Sequence, residues 1–272
     1  MENEDITTDH PLSPTYAIAI ISAKGGVGKT SFAASLGVCI ARADRPVLML
    51  DLDPQNSLCH HVGIPPNARE GSALASLNNH KWSTTVVELA PDVRLIPYGI
   101  PSEAERTAYE DILEQNPHWL SERLSELSIT PGTIIIFDTP PGPSIYIQRV
   151  LEIANLALVL TLPDAASFAA IPVMERLLNQ YSRPRTAFDG AKYIINQVNS
   201  AHPLSRDMAE VIRHELGSAL IGRIHADQFM CEALANRQDV TSFAPYSQAS
   251  YDIKICTDRV LQLLQANTTK RP

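Results

Sequence analysis

"ISAKGGVGKTSFAAS", Ile21 to Ser35, is the stretch that decides the fold. Gly25, Gly26 and Gly28 let the backbone come close to a phosphate, Lys29 supplies a cation, and Thr30 offers a hydroxyl to a metal. Strictly, the stretch fails the pattern G-x-x-x-x-G-K-[ST], because Ala23 stands where the first glycine belongs. It also carries an additional lysine, Lys24, which a simple phosphate loop does not require. Upstream, "YAIAIIS" (Tyr16 to Ser22) is a short isoleucine-rich run between Pro14 and the glycines, and reads as a buried parallel strand. Downstream, a helix is expected from about Lys29 to Ala43. Strand, loop and helix in that order aim backbone N–H groups and a helix N-terminus at an anion.

The same pattern recurs outward from this point. "VLMLDLD" from Val47, "TIIIFDT" from Thr133, "LALVLTL" from Leu156 and "KYIINQV" from Lys192 have the character of buried strands, and "VRLIP" from Val93 and "LIGRIH" from Leu220 could complete a sheet. Helical patterns lie between them, at Ser102 to Leu127, Ser167 to Tyr181, Leu204 to Leu216 and Ser247 to Gln265. Alternation of this kind predicts an α/β fold, a doubly wound, mostly parallel sheet with helices on both faces. With no internal repeat or low-complexity linker, residues 15–266 are expected to form one domain. An acidic tail over residues 1–14 is expected to be flexible, and residues 267–272 to be a polar tail.

Composition narrows the function. Hydrophobic residues make up 44% and charged residues 19% of the chain, which argues for a folded protein rather than extensive disorder. A formal net charge of −8 opposes binding to nucleic acid or anionic lipid unless basic residues gather locally, and the densest basic stretch is only Arg183 to Arg185, interrupted by Pro184. No segment approaches the ~18 apolar residues of a membrane span. The beginning "MENEDITTDHPLSP" does not resemble a signal peptide, so a cytoplasmic location is expected. Cys39, Cys59, Cys231 and Cys256 lie far apart and are expected as buried free thiols. His60 and His61 beside Cys59 lack further ligands at zinc spacing, and no transition metal is assigned.

In doubly wound sheets, ligands bind beyond the carboxyl ends of the strands. There stand Asp51 and Asp53 of "DLDPQ" and Asp138 of "FDTPPG". A strand-end aspartate is often a turn or cap, but three in one sheet with a phosphate loop point to a nucleoside triphosphate with Mg2+, a cation that prefers hard oxygen ligands and keeps some of its waters. Thr30 is the expected direct ligand and Asp138 the expected holder of a metal-bound water, with Asp51 nearby. Asp53 is placed to orient or deprotonate the attacking water.

"KGGVGKT", "DLDPQ" and "DTPPG" in this order resemble the deviant Walker A ATPases of the MinD/ParA type, over nearly the whole chain, from about Tyr16 to Leu264. The resemblance implies a P-loop ATPase that binds ATP and Mg2+ and hydrolyses ATP slowly as an ATP-sandwich homodimer. In it Lys24 reaches the partner subunit's nucleotide while Lys29 acts within its own subunit. It implies nucleotide contacts from Gly25, Gly26, Val27, Gly28, Lys29, Thr30 and Ser31, an adenine contact from Asn196 in "IINQVN", and one from Asp227 in "IHADQFMCEALANRQDV". A basic amphipathic membrane helix of the MinD kind is not expected. The stripe Ile253, Cys256, Val260, Leu263 and Leu264 has only Lys254 and Arg259 as cations among it and reads as core.

"VRLIPYG", "EQNPHWLSERLSEL" and the segment from Ile224 are similar to the BcsQ/YhjQ branch, the MinD-like ATPases associated with bacterial cellulose synthesis and secretion. That similarity implies a regulator of assembly or localisation, with protein partners in a cellulose secretion complex and indirect contact with the inner membrane. A ParA-type partition or cargo-positioning ATPase with ATP-dependent, non-specific DNA binding stays open as the alternative. Trp119, Leu120, Leu124 and Leu127 could equally be one buried helix face.

Overall fold

The computed structural model describes residues 15–65 and 70–268. The acidic tail expected over residues 1–14 and the last four positions of the expected polar tail lie outside the described residues. In chain order the elements are β1 (Tyr16–Ile21), α1 (Lys29–Ala41), β2 (Val47–Asp51), α2 (Leu58–His61), α3 (Ser72–Leu77), β3 (Val87–Ala90), β4 (Val93–Ile96), α4 (Glu103–Gln115), α5 (Trp119–Ser125), β5 (Ile134–Asp138), α6 (Ile145–Leu151), β6 (Leu156–Thr161), α7 (Ala165–Tyr181), β7 (Gly190–Val198), α8 (Pro203–Leu216), β8 (Leu220–His225), α9 (Phe229–Ala235), α10 (Val240–Phe243) and α11 (Gln248–Thr268). Two short 3-10 turns, Trp82–Thr84 and Gly217–Ala219, complete the set.

The eight strands form one sheet in the order β3-β4-β2-β5-β1-β6-β7-β8, and every pairing is parallel except β3 with β4. The antiparallel edge strand β3 has no counterpart in the sequence reading. Its burial alternates between half-buried and exposed, so it lacks the continuous apolar run that marks the inner strands.

Alternation along each inner strand divides the core. Tyr16, Ile18 and Ile20 of β1 face one layer with Ile134 and Ile136 of β5, packed on α1 and α11. Ala17, Ala19 and Ile21 face the other with Ile135 and Phe137, packed on α3, α4, α6 and α7. Period-two side chains between two helix layers are what a sheet covered on both faces requires. Each fully buried aliphatic side chain in these layers contributes about 1.5–3 kcal/mol of transfer free energy. Helix α1 lies close against the sheet at Gly37, where an added Cβ would stand 2.7 Å from Met49 Sδ.

Several boundaries differ from expectation for identifiable reasons. The single helix expected over Ser102 to Leu127 is two, because Pro117 forces Asn116 into extended backbone (φ −120°, ψ 95°) before α5 begins. Its start is fixed by a capping box, with Ser102 Oγ accepting from the Glu105 amide and the Glu105 carboxylate accepting from the Ser102 amide. Leu120 and Leu127 are buried, and Trp119 and Leu124 pack against the same core. On α11, Ile253, Cys256, Val260 and Leu264 are buried and Leu263 packs beside them, so that stripe is core as expected. This helix runs to Thr268, past the point where a polar tail was expected to begin. Cys39, Cys59 and Cys256 are buried free thiols, but Cys231 is exposed: it sits on the short amphipathic α9, whose buried position is Ala233. No helix among the described residues is long and apolar enough to cross a membrane.

Candidate functional site

All the parallel strands end on one side, so the loops after β1, β2, β5, β7 and β8 open onto a common edge. Asp51 and Asp138, the last residues of β2 and β5, stand directly opposite each other in register, and Ile20 of β1 pairs with Asp138 on the other side. Above them opens a cleft of about 1150 Å³. Its walls include Gly25 to Ser31, Asp53, Asn196, Gln197, His225 and Asp227. It joins most of the residues singled out from the sequence and is large enough for a nucleotide.

The phosphate loop is held in place before any ligand enters. Gly28 caps α1 with φ 87°, a left-handed conformation, and a Cβ there would stand 2.5 Å from Asn196 Nδ2. That amide nitrogen donates to the Val27 carbonyl at 2.7 Å, and Gln197 Nε2 donates to the Gly26 carbonyl at 3.0 Å. Asn196 therefore clamps the loop as well as facing the cleft. Ser22 braces the loop from below: its hydroxyl accepts from Lys29 Nζ at 3.0 Å and donates to the Lys24 carbonyl at 2.7 Å. With those carbonyls engaged elsewhere, the loop's amides are left for an anion.

Charge beneath the loop is concentrated and buried. Burial lowers the pKa of the Lys29 ammonium, while Asp138 and Asp53 pull it back up. Asp138 is fully buried, no hydrogen bond of good geometry reaches either carboxylate oxygen, and burial pushes its pKa up to about 7 against the opposing pull of the adjacent Thr30 hydroxyl, the Lys29 ammonium and the Thr139 amide. Asp51 is also fully buried and raised, first by desolvation and then by Asp138. Its oxygens are nevertheless engaged: Oδ1 accepts from the Asp53 amide and Oδ2 from the Leu58 amide, each at 3.0 Å. It thus fixes the loop that carries Asp53. Asp53, 9% exposed, accepts from the Gln55 amide at 2.9 Å and borders the cleft.

Two orphaned carboxylate oxygens next to a threonine hydroxyl are a donor set suited to a hard divalent cation. Among the described residues no cluster of three or more His, Cys, Asp or Glu side chains could hold a metal without help. That donor set fits Mg2+, which takes few protein ligands and completes its shell with water and phosphate oxygens. Thr30 and Asp138 are the residues here that could hold it.

Two expected residues stand apart from this centre. Lys24 points away from its own cleft to Asp164, the N-cap of α7, with Nζ 3.4 Å from Oδ1. Asp227 borders the cleft, but its oxygens accept from the backbone amides of Phe229 (3.0 Å) and Ala249 (3.1 Å), tying the starts of α9 and α11 together. The sequence reading did not assign Ser22, Gln197, Asp164 or His61 to the site. Ser22 was visible only as a strand end. Gln197 has φ 57°, which no pattern announces. His61, 3.4 Å from Ser31 Oγ, is held neutral by burial, with its pKa lowered to about 4.

Residues 16–261 match the family described as Cellulose biosynthesis protein BcsQ. The chain is 24% identical over 238 residues to the Cellulose biosynthesis protein BcsQ of Escherichia coli (strain K12), covering 85% of this chain and 88% of that one. It is 26% identical over 216 residues to the Chromosome partitioning protein ParA of Caulobacter vibrioides (strain NA1000 / CB15N), covering 75% and 78%. In fold it is similar to the septum site-determining protein MinD of Pyrococcus horikoshii OT3 complexed with Mg-ADP (TM-score 0.72, 18% identity, 90% of this chain and 96% of that one). It is likewise similar to a plasmid partition protein from Borrelia burgdorferi (TM-score 0.64, 16% identity, 85% and 97%). The doubly wound P-loop architecture is thus that of the MinD/ParA proteins.

Proposed function

Because the chain belongs to the family of Cellulose biosynthesis protein BcsQ, we propose that it is an ATPase whose ATP-sandwich homodimer regulates assembly or localisation of a bacterial cellulose synthesis and secretion system. The observation that carries the ATPase part is Asp138, buried with both oxygens unpartnered directly under the phosphate loop. A carboxylate left in that state is costly unless a cation joins it.

In this reading the amides from Gly25 to Ser31 and the Lys29 ammonium hold the phosphates, and Thr30 with Asp138 holds the Mg2+ shell. Bound Mg2+ supplies positive charge to the phosphate oxygens. Asp53 orients the attacking water and accepts its proton, and Asp51 acts through the loop it fixes. Asn196 and the Asp227 segment border the base. Lys24 leaves Asp164 and crosses to the nucleotide of the second copy, where a cation stabilises charge spreading over the transferred phosphoryl group. Hydrolysis then depends on assembly. The protein works in the cytoplasm and reaches the inner membrane through partners of the secretion complex.

Light scattering with a non-hydrolysable ATP analogue tests the dimer: Lys24→Ala is expected to bind nucleotide and remain monomeric, and an undiminished dimer in that variant would remove the trans role. Deleting the gene in its host and measuring exopolysaccharide tests the pathway. Unchanged cellulose with a plasmid, chromosome or cargo-positioning defect would favour the second reading, a ParA-type partition ATPase. That reading draws support from the ParA relative, whose identity is comparable to that of the BcsQ relative. It predicts ATP-dependent DNA retention that falls steeply with salt.

A further inference from the structure

The loop after β2 carries Asp53 to the cleft, and two side chains pin it. The first is Asp51, which accepts from the Asp53 and Leu58 amides. The second is Asn56, 7% exposed and left-handed at φ 49°. Its backbone amide donates to the Asp53 carbonyl at 2.8 Å, closing a turn over Pro54 and Gln55, and its side-chain Oδ1 accepts from the Gly99 amide at 3.3 Å. The Cys59 thiol donates to the same oxygen at 3.9 Å. Glycine adopts a left-handed turn freely and asparagine tolerates it, but only asparagine brings the bond to Gly99.

The support that Asn56 grips is itself braced. Gly99 follows β4 in a segment where the Pro97 carbonyl accepts from the Ser72 amide at 2.8 Å and the Tyr98 carbonyl from the Ala73 amide at 3.2 Å, both at the start of α3. The Tyr98 ring is fully buried, edge-on to Tyr109 and Tyr146 at centroid distances of 6.0 and 5.9 Å, and its hydroxyl meets that of Tyr146 at 2.7 Å. Interlocked aromatic rings at this packing density resist displacement. Residues 53–57, by contrast, belong to neither helix nor strand. Where Asp53 stands is therefore set by side-chain pins and not by a backbone ladder.

We propose that Asn56 is a positioning residue for ATP hydrolysis: its bond to Gly99 fixes the turn so that the Asp53 carboxylate stands where the attacking water must be. This rests on the reading of Asp53 given above and adds the group that holds it. The effect falls on rate and not on nucleotide affinity, because the phosphates are held by a different loop, Gly25 to Ser31 with Lys29. A misplacement of about 1 Å costs a reacting group on the order of a hundredfold in rate.

The test measures phosphate release and equilibrium ATP binding on the full chain with Mg2+, for the wild type, Asn56→Gly, Asp53→Ala and the double variant. Glycine keeps the left-handed turn and deletes only the side chain. Asn56→Gly is expected to lower kcat by about tenfold to a hundredfold, with KM and ATP affinity within about twofold of wild type. In the Asp53→Ala background the same change is expected to cost nothing further, since it acts through a group already removed. Amide hydrogen exchange supplies a readout independent of turnover: Gly99 is expected to be protected in the nucleotide-free wild type and to lose that protection in Asn56→Gly. Wild-type kcat in a folded Asn56→Gly overturns the proposal and leaves Asn56 a tether serving stability alone. An equal further loss in the Asp53→Ala background overturns it too, as does an unprotected Gly99 amide in the wild type. Undiminished turnover in Asp53→Ala, or no hydrolysis by the wild type, shows instead that the reading of Asp53 has failed.

Discussion

Replacing Asp138 by Asn should make the nucleotide-free protein less sensitive to pH while abolishing its response to Mg2+ and ATP. Folding raises the Asp138 pKa from 3.8 to about 7, chiefly through burial. The sign follows from proton binding: between those values the folded state keeps a proton that the unfolded state has released. Stability therefore falls as pH rises from about 4 to about 7 and is level above that. The full interval is worth roughly 4 kcal/mol. Asn has no proton to lose, so its own penalty, about 1–3 kcal/mol for any buried donor left unpaired, is the same at every pH. The measurable quantity is the stability of wild type minus that of Asp138→Asn, from urea unfolding in EDTA at pH 4 to 8. That difference should decline by up to roughly 4 kcal/mol across the range. Added Mg2+ and ATP should then stabilise the wild type and leave the variant unmoved. Parallel stability curves from pH 4 to 8 would refute the claim that Asp138 carries the unmet charge of the site.

Lys29→Ala should weaken ATP binding by about tenfold to a hundredfold, the worth of a charge-assisted contact of ~1.5–3 kcal/mol, as read by equilibrium binding. Asp53→Ala should bind ATP and dimerise but hydrolyse at least about a hundredfold more slowly, as expected for loss of a group that handles the attacking water; normal phosphate release would remove it from that role. Gly28→Ala should destabilise the chain by about 1–3 kcal/mol in thermal unfolding, since its φ of 87° is left-handed and the new Cβ would displace the Asn196 amide from Val27.

Residues from Tyr16 to Thr30 made the strand, loop and helix legible from sequence, because glycine spacing and a continuous apolar run are local properties of the chain. The inner strands were legible for the same reason: burial on both faces keeps each run apolar up to its last residue. Asp51, Asp53 and Asp138 could be named as candidates at strand ends, yet nothing local distinguishes a carboxylate engaged by two amides from one left bare. That distinction, Asp51 against Asp138, was decided by which loop folds back over each strand end. Lys24 reaching Asp164, Asn196 clamping Val27, and Asp252 fixing His225 each join residues far apart in sequence. Their partners are set by the strand order and helix packing, and periodicity carries no record of them. The sequence thus determined what chemistry the chain can do at its phosphate loop, and the tertiary structure decided which side chains are free to take part.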